Sequence, residues 1–218
     1  MVTRQDTARG RAPLNAVVFD LLMAVMNSLE VWAAAARDRG LGLAWRDGVT
    51  ARMIESSAYL PYEDLVATAA AEVGLAPNAP AELFEQWSAM KRWPDAAALE
   101  ALSLPYGFVT NCSTELADVA ARRSGLRPRL TLSAQEAGCY KPDARIYREA
   151  CRRLGSDPAT TLFVSGSPYD ADGARAAGMR AWLVVRRDDH AAPHPSIQTA
   201  YSLDEIIGAI GRDGSAGR

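Results

Sequence analysis

The chain has 218 residues, 49% of them apolar, with 24 Lys and Arg against 26 Asp and Glu for a net charge of -2. That length and apolar share suit one well-buried core with a smaller attached lobe and exclude a disordered or fibrous chain. The near-balanced charge supplies no field favouring nucleic acid or an anionic membrane, so a small-molecule partner is expected.

Residues 1–13 are polar and Arg-rich without a period, and 212–218 form a Gly/Ser/Arg tail, so both ends are expected to be loose. The apolar stretch from Ala16 to Met26 is interrupted by Asp20 and too short for a bilayer. The basic residues before it lead to no cleavage pattern, and a cytoplasmic protein is expected. Within that stretch AVVF, at 16–19, reads as a buried strand that delivers Asp20 at its C-terminal tip.

From Ser28 to about Arg92 there is no convincing strand. The sequence is Ala-rich and helical, carrying Trp32, Trp45, Tyr59, Tyr62 and Trp87. A helical insertion after the first strand emerges at the carboxyl end of an open sheet, where ligands bind, and is placed to act as a lid. Strand-like runs then recur at GFVT (107–110), RLTL (129–132), TLFVS (161–165) and AWLVV (181–185). Helices alternate with them. One opens at Ser113 or Thr114 and stops at Gly125, one runs from Asp143 to near Gly155, and one follows Asp170 until Gly178. This alternation predicts an α/β fold, a Rossmann-like parallel sheet formed by 14–27 and 93–211 with a helical cap at 28–92.

Cys112, Cys139 and Cys151 match no zinc spacing and read as reduced structural thiols. The two histidines, His190 and His194, share one Pro-containing segment, which argues against a His-centred triad. The strand tips are more informative. Thr110-Asn111 ends the second strand, Lys141-Pro142 precedes a helix, and Ser165-Gly166-Ser167 ends the fourth strand with Asp170 just beyond. Each has a plain structural use: a carboxylate or hydroxyl caps a turn, a lysine before a helix is solvated, a tyrosine packs in the core. In a parallel sheet, however, all these tips face one crevice, and two carboxylates, an ammonium and hydrogen-bond donors converge there.

Phe19-Asp20, Thr110-Asn111, YKPDARIY at 140–147 and FVSGSPYDADGARAAGM at 163–179 resemble, in order, the four motifs of the haloacid dehalogenase superfamily. The pattern is closest to the L-2-haloacid dehalogenases (type II): Tyr147 stands six residues after Lys141, Tyr169 precedes Asp170, and AYLPYEDLVATAAAEVGL at 58–75 is similar to their cap sequence. The resemblance implies that Asp20 attacks a saturated carbon bearing a leaving group and that water hydrolyses the resulting ester. Lys141 would balance the charge of Asp20, Thr110, Asn111 and Ser165 would donate hydrogen bonds, and Asp170 would position the water. Tyr147 would orient Lys141 or the substrate carboxylate. Leu22, Tyr62, Ser167 and Tyr169, with Trp45, would line the substrate side, and Arg46, or Arg52 in reserve, would bind the leaving group and carboxylate.

Two departures mark the chain. Where the dehalogenases carry Asp-x-Tyr-Gly-Thr, this sequence has Leu22, Met23 and Ala24 after Asp20-Leu21. Where the superfamily's phosphatases hold magnesium through a fourth-motif Asp, it has Gly166, and their acid/base position is Leu22. Magnesium wants several hard oxygen ligands, so neither metal nor any other cofactor is expected. A small 2-substituted carboxylate is the expected substrate, and a homodimer the expected assembly. Ring opening of L-azetidine-2-carboxylate is a variant of the same chemistry. A non-catalytic binding protein and a magnesium-dependent phosphatase are the alternatives.

Overall fold

The computed structural model describes residues 12–186 and 196–215, the side chains of 213–215 excepted. His190 and His194 lie outside the described residues, as do 1–11 of the end expected to be loose at 1–13 and 216–218 of the one expected at 212–218. Six strands form one all-parallel sheet in the order β3-β2-β1-β4-β5-β6: β1 Ala16–Asp20, β2 Tyr106–Thr110, β3 Leu130–Ser133, β4 Thr161–Ser165, β5 Arg180–Val184 and β6 Gln198–Ala200. β1 and β4 are buried along their whole length, because helices cover both faces and every side chain, whichever way it points, meets the core. The expected alternation and parallel sheet are therefore present, with β6 added at the edge. It escapes a reading of apolar runs because it is three residues long and reads Gln-Thr-Ala.

Four helices fill the stretch between β1 and β2: α1 Leu29–Ala36, α2 Arg39–Glu55, α3 Tyr62–Glu72 and α4 Ala79–Trp87. Their shared core is aromatic. Trp45 is fully buried, stacks edge-on against Trp32 with centroids 4.8 Å apart, and donates from Nε1 to Val66 O at 2.8 Å. The insertion has a closed neck, where Met26 forms an antiparallel bridge with Arg92 and Asn27 N donates to Lys91 O at 2.8 Å. It is also bolted to the segment before Lys141. Tyr59 N donates to Gly138 O at 3.0 Å, and Tyr140 Oη donates to Leu60 O at 2.7 Å.

Beyond β2 come α5 Thr114–Ser124, α6 Ala134–Ala137, α7 Ala144–Leu154, α8 Pro168–Ala176 and α9 Leu203–Ser215. α5 and α7 end on Gly125 and Gly155 in the left-handed region, φ 68° and 67°, as glycine stops demand. α7 buries Ile146, Tyr147, Ala150 and Cys151 on one stripe against the sheet. Three expectations need correcting. Ser113 occupies the N-cap of α5, but its side chain makes no capping bond. α8 starts at Pro168, before Asp170, because proline suits the first helical turn. α9 continues to Ser215, past the expected start of the tail at 212.

Candidate active site

β1 ends at Asp20, which pairs with Val109 of β2, and the chain then closes a single π-helical turn, Leu21–Val25. β4 ends at Ser165, and α8 brings in Asp170 on its first turn. Between these tips stands Lys141. Its Nζ lies 2.8 Å from Asp20 Oδ1 and 2.6 Å from Asp170 Oδ2, with side-chain exposures of 2%, 6% and 1% for the three groups. One ammonium thus serves two carboxylates in a desolvated setting, where breaking such a pair is far more damaging than on a surface.

The lysine is held from its backbone. Asn111 accepts from Lys141 N at 2.8 Å through Oδ1 and donates to Lys141 O at 3.0 Å through Nδ2, so β2 fixes the root of a side chain from a different loop. The Lys141–Pro142 peptide bond is cis. Burial alone pushes the Lys141 ammonium down, but the carboxylates of Asp170 and Asp20 outweigh it and hold the group above the ordinary lysine value. Burial, with Asp20 adding to it, pushes Asp170 up to about 6 against the pull of Lys141. Tyr147 donates to Asp170, to its backbone carbonyl at 3.0 Å and to its Oδ1. Burial and the neighbouring Asp170 raise the Tyr147 hydroxyl well above its ordinary range, so it remains a donor.

A cavity of about 50 Å³ opens over Asp20 and Lys141. Asp20, Asn111 and Lys141 form its polar floor, and Arg46, Ser28 and Thr50 add polar groups from the insertion and its neck. Leu22, Met23, Trp32 and Tyr62 are among its apolar walls, with Tyr169 on the core side. Five sequence candidates do not line it. Asp170 is fully buried and meets the cavity floor only through its ion pair with Lys141. Thr110 is fully buried and shares a 3.5 Å hydrogen bond with Cys112 Sγ. Ser165 donates to Ser167 O at 2.6 Å and accepts from Ser167 N at 3.0 Å. Both residues are committed to closing their own turn, the usual work of a strand-end hydroxyl. Tyr147 reaches Asp170 from beneath, so it orients that carboxylate and neither Lys141 nor a ligand in the cavity. Trp45 and Arg52 also stand apart, Trp45 in the helical core and Arg52 turned back to Gly48 O at 2.9 Å.

Conversely, Ser28, Trp32, Val49, Thr50 and Met53 line the cavity without having been singled out. A signal existed for part of this set: 46, 49, 50 and 53 fall at i, i+3, i+4 and i+7, one stripe of α2. Ser28 is buried, and its hydroxyl has a weak acceptor, Met23 Sδ at 3.4 Å.

The residues present do not fit a divalent cation. Asp20 and Asp170 are both bound to Lys141, and position 22 is apolar. At Gly166 a β-carbon would press on Met23 Cβ and lie 2.8 Å from the Met23 carbonyl carbon and 2.9 Å from Ala24 N, which leaves no room for a carboxylate. Among the described residues no cluster of three or more His, Cys, Asp or Glu is arranged to hold a metal. Burial pushes the Cys112 thiol up to about 12, so it is not a competing nucleophile.

A parallel α/β sheet with an ionic triad at its carboxyl end defines a hydrolase class, and comparison with known proteins agrees. The family model for haloacid dehalogenase-like hydrolases matches residues 29–178, and the chain belongs to that family. It is 33% identical over 110 residues to (S)-2-haloacid dehalogenase 1 of Pseudomonas sp. (strain CBS-3), a match spanning 48% of this chain and about half, 48%, of that protein's length. It is 31% identical over 200 residues to a phosphatase of Mycobacterium tuberculosis (strain CDC 1551 / Oshkosh), spanning 79% of this chain and 88% of that one. The crystal structure of an L-2-haloacid dehalogenase superimposes with a TM-score of 0.80 at 22% identity, over 92% of this chain and all of that one, which establishes the shared fold. No helix among the described residues is long and apolar enough to cross a membrane.

Proposed function

We propose that this hydrolase cleaves a small 2-substituted carboxylate, with a 2-haloacid as the leading substrate, by a metal-independent route through an aspartyl ester. The observation that carries the reading is Lys141 held between Asp20 and Asp170 at the floor of a cavity whose remaining groups cannot hold magnesium.

In this reading an Asp20 carboxylate oxygen attacks C2 of the substrate, the C–O bond forms as the carbon–halogen bond breaks, and halide departs with the bonding pair. Water then adds to the carbonyl carbon of the ester as Asp170 takes its proton. Collapse breaks the ester C–O bond, the departing alkoxide takes that proton to become a 2-hydroxy acid, and Asp20, left as the acid, returns to the carboxylate by releasing a proton to solvent. Lys141 steadies the nucleophile first and the carbonyl oxygen of the ester next. Arg46, the cavity's one arginine among the described residues, receives the substrate carboxylate or the halide. The cavity's volume of about 50 Å³ suits a small acid rather than a bulky substrate. The helical insertion acts as the cap that excludes water from the first step. The leaving group can also be a ring nitrogen, as in L-azetidine-2-carboxylate.

A second reading, magnesium-dependent phosphate ester hydrolysis, is favoured by the M. tuberculosis relative, which matches more of the chain than the Pseudomonas enzyme does. One experiment separates the two: product release from a panel of 2-haloacids and L-azetidine-2-carboxylate, and from a phosphate ester, with EDTA or with added magnesium, alongside Asp20→Asn. The expected result is EDTA-resistant turnover of an acid, reduced at least about 10⁴-fold in the variant. Phosphatase activity appearing only with magnesium would overturn the proposal.

A further inference from the structure

Outside the triad the chain buries a second ion pair. Arg186, 6% exposed at the end of β5, holds Asp95 Oδ2 through Nη1 at 2.6 Å, donates through Nη2 to Ala24 O, and lies over the Trp93 ring with Cζ 4.8 Å from the centroid. Trp93 in turn donates from Nε1 to Met23 O at 3.0 Å and from its backbone N–H to Val25 O at 2.9 Å. Asp95 Oδ2 also accepts from Leu203 N at 2.8 Å. The carbonyls of three successive residues, Met23, Ala24 and Val25, are thus each gripped from outside the turn that follows Asp20.

A buried ion pair is a poor device for stability alone, since apolar residues of similar volume do as well or better. This pair is not even fully satisfied: Asp95 Oδ1 and Arg186 Nε have no hydrogen-bond partner among the described residues. What the arrangement supplies is direction. A π-helical turn leaves its last carbonyls without internal partners. Here those carbonyls are fixed by donors from two distant parts of the chain, while the same turn carries Leu22 and Met23 into the cavity wall and begins at the residue after Asp20.

We propose that Arg186 and Trp93, with Asp95 orienting the guanidinium, are positioning residues that set the geometry of the Asp20 turn. Their effect on turnover rests on the Asp20 nucleophile reading; their effect on the turn does not. The test uses Arg186→Met, Arg186→Lys and Trp93→Phe in the full chain, with amide hydrogen exchange as the first readout. Loss of the guanidinium raises exchange in residues 21–26 about tenfold or more and leaves β2 and β4 peptides unchanged, and lysine recovers part of the protection. On whichever substrate the wild type turns over, kcat falls about tenfold to a hundredfold while KM stays within about twofold, as misplacement of a reacting group predicts.

Unchanged exchange in 21–26, or a rise spread evenly over the sheet, overturns the proposal. So does loosened exchange with kcat intact. Where Arg186→Met fails to fold, Trp93→Phe decides, because it deletes the Nε1 donor to Met23 O and trims the ring under Arg186 while leaving the guanidinium and the backbone bond to Val25 O in place. If no acid in the panel is turned over, the nucleophile reading fails separately and the exchange data still judge the clamp.

Discussion

Tyr147 and Asp170 are joined twice, the phenol donating both to the backbone carbonyl and to Oδ1 of the aspartate, so that Oδ2 is left for Lys141. The tyrosine therefore works on the carboxylate's charge without facing the cavity. It draws Asp170 down while burial, the larger effect, drives it up to about 6. If Asp170 is the base, kcat rises with pH through about 6 and is flat above it. Tyr147→Phe moves that inflection upward by about one pH unit. A pH–kcat profile of both proteins checks this.

The same carboxyl has a sign in stability. Its folded value lies above the ordinary 3.8, so between about pH 4 and 6 the native state retains a proton that the unfolded chain releases. Its contribution to stability accordingly falls as pH rises through that window and is constant above it. Asp170→Asn, compared with wild type by urea unfolding at pH 4 and pH 7, is expected to gain on the parent at the higher pH.

Lys141→Met leaves two buried carboxylates without their cation. It should abolish turnover and destabilise the chain by about 3–5 kcal/mol at pH 8. The deficit shrinks at pH 5, where one carboxyl takes a proton. Urea midpoints at the two pH values give the answer.

Gly173 lets α8 close on the loop carrying Lys141. A β-carbon there would lie 2.8 Å from both Pro142 O and the Tyr147 hydroxyl. Gly173→Ala is expected to cost about 1–3 kcal/mol and to weaken the Tyr147–Asp170 contact. The signature is a raised inflection of the pH–kcat profile with a lowered melting temperature.

Gly166→Asp restores the side chain that a phosphatase of this family would present, yet it drives that side chain into Met23 and Ala24. The variant should melt lower, by about 1–3 kcal/mol, and show no magnesium binding by calorimetry.

Much of this frame was legible in the residues. The runs at 16–19, 107–110 and 161–165 are apolar on both faces, as buried parallel strands require, and a parallel sheet brings the segments carrying Asp20, Lys141 and Asp170 to one end. What sequence could not supply was direction. Nothing in Ser165 and Ser167 says that they bond each other, and nothing in Tyr147 says that it approaches Asp170 from beneath. Arg186 begins the charged run Arg-Arg-Asp-Asp, which reads as solvated; its burial follows from Asp95 and Trp93, ninety residues earlier by position and adjacent only in the fold.

The bridge between Met26 and Arg92 ties together the points where the polypeptide leaves the sheet and returns to it. With its neck closed, the intervening excursion leaves the sheet and returns to it at one point, and further ties to the sheet domain run through Tyr59, Leu60 and Trp87. Side chains at 46, 49, 50 and 53 belong to that excursion, whereas Asp20, Lys141 and Asp170 do not. The cavity wall is thereby divided between two stretches of chain, and a substitution on the α2 stripe alters its shape without touching a member of the ionic triad.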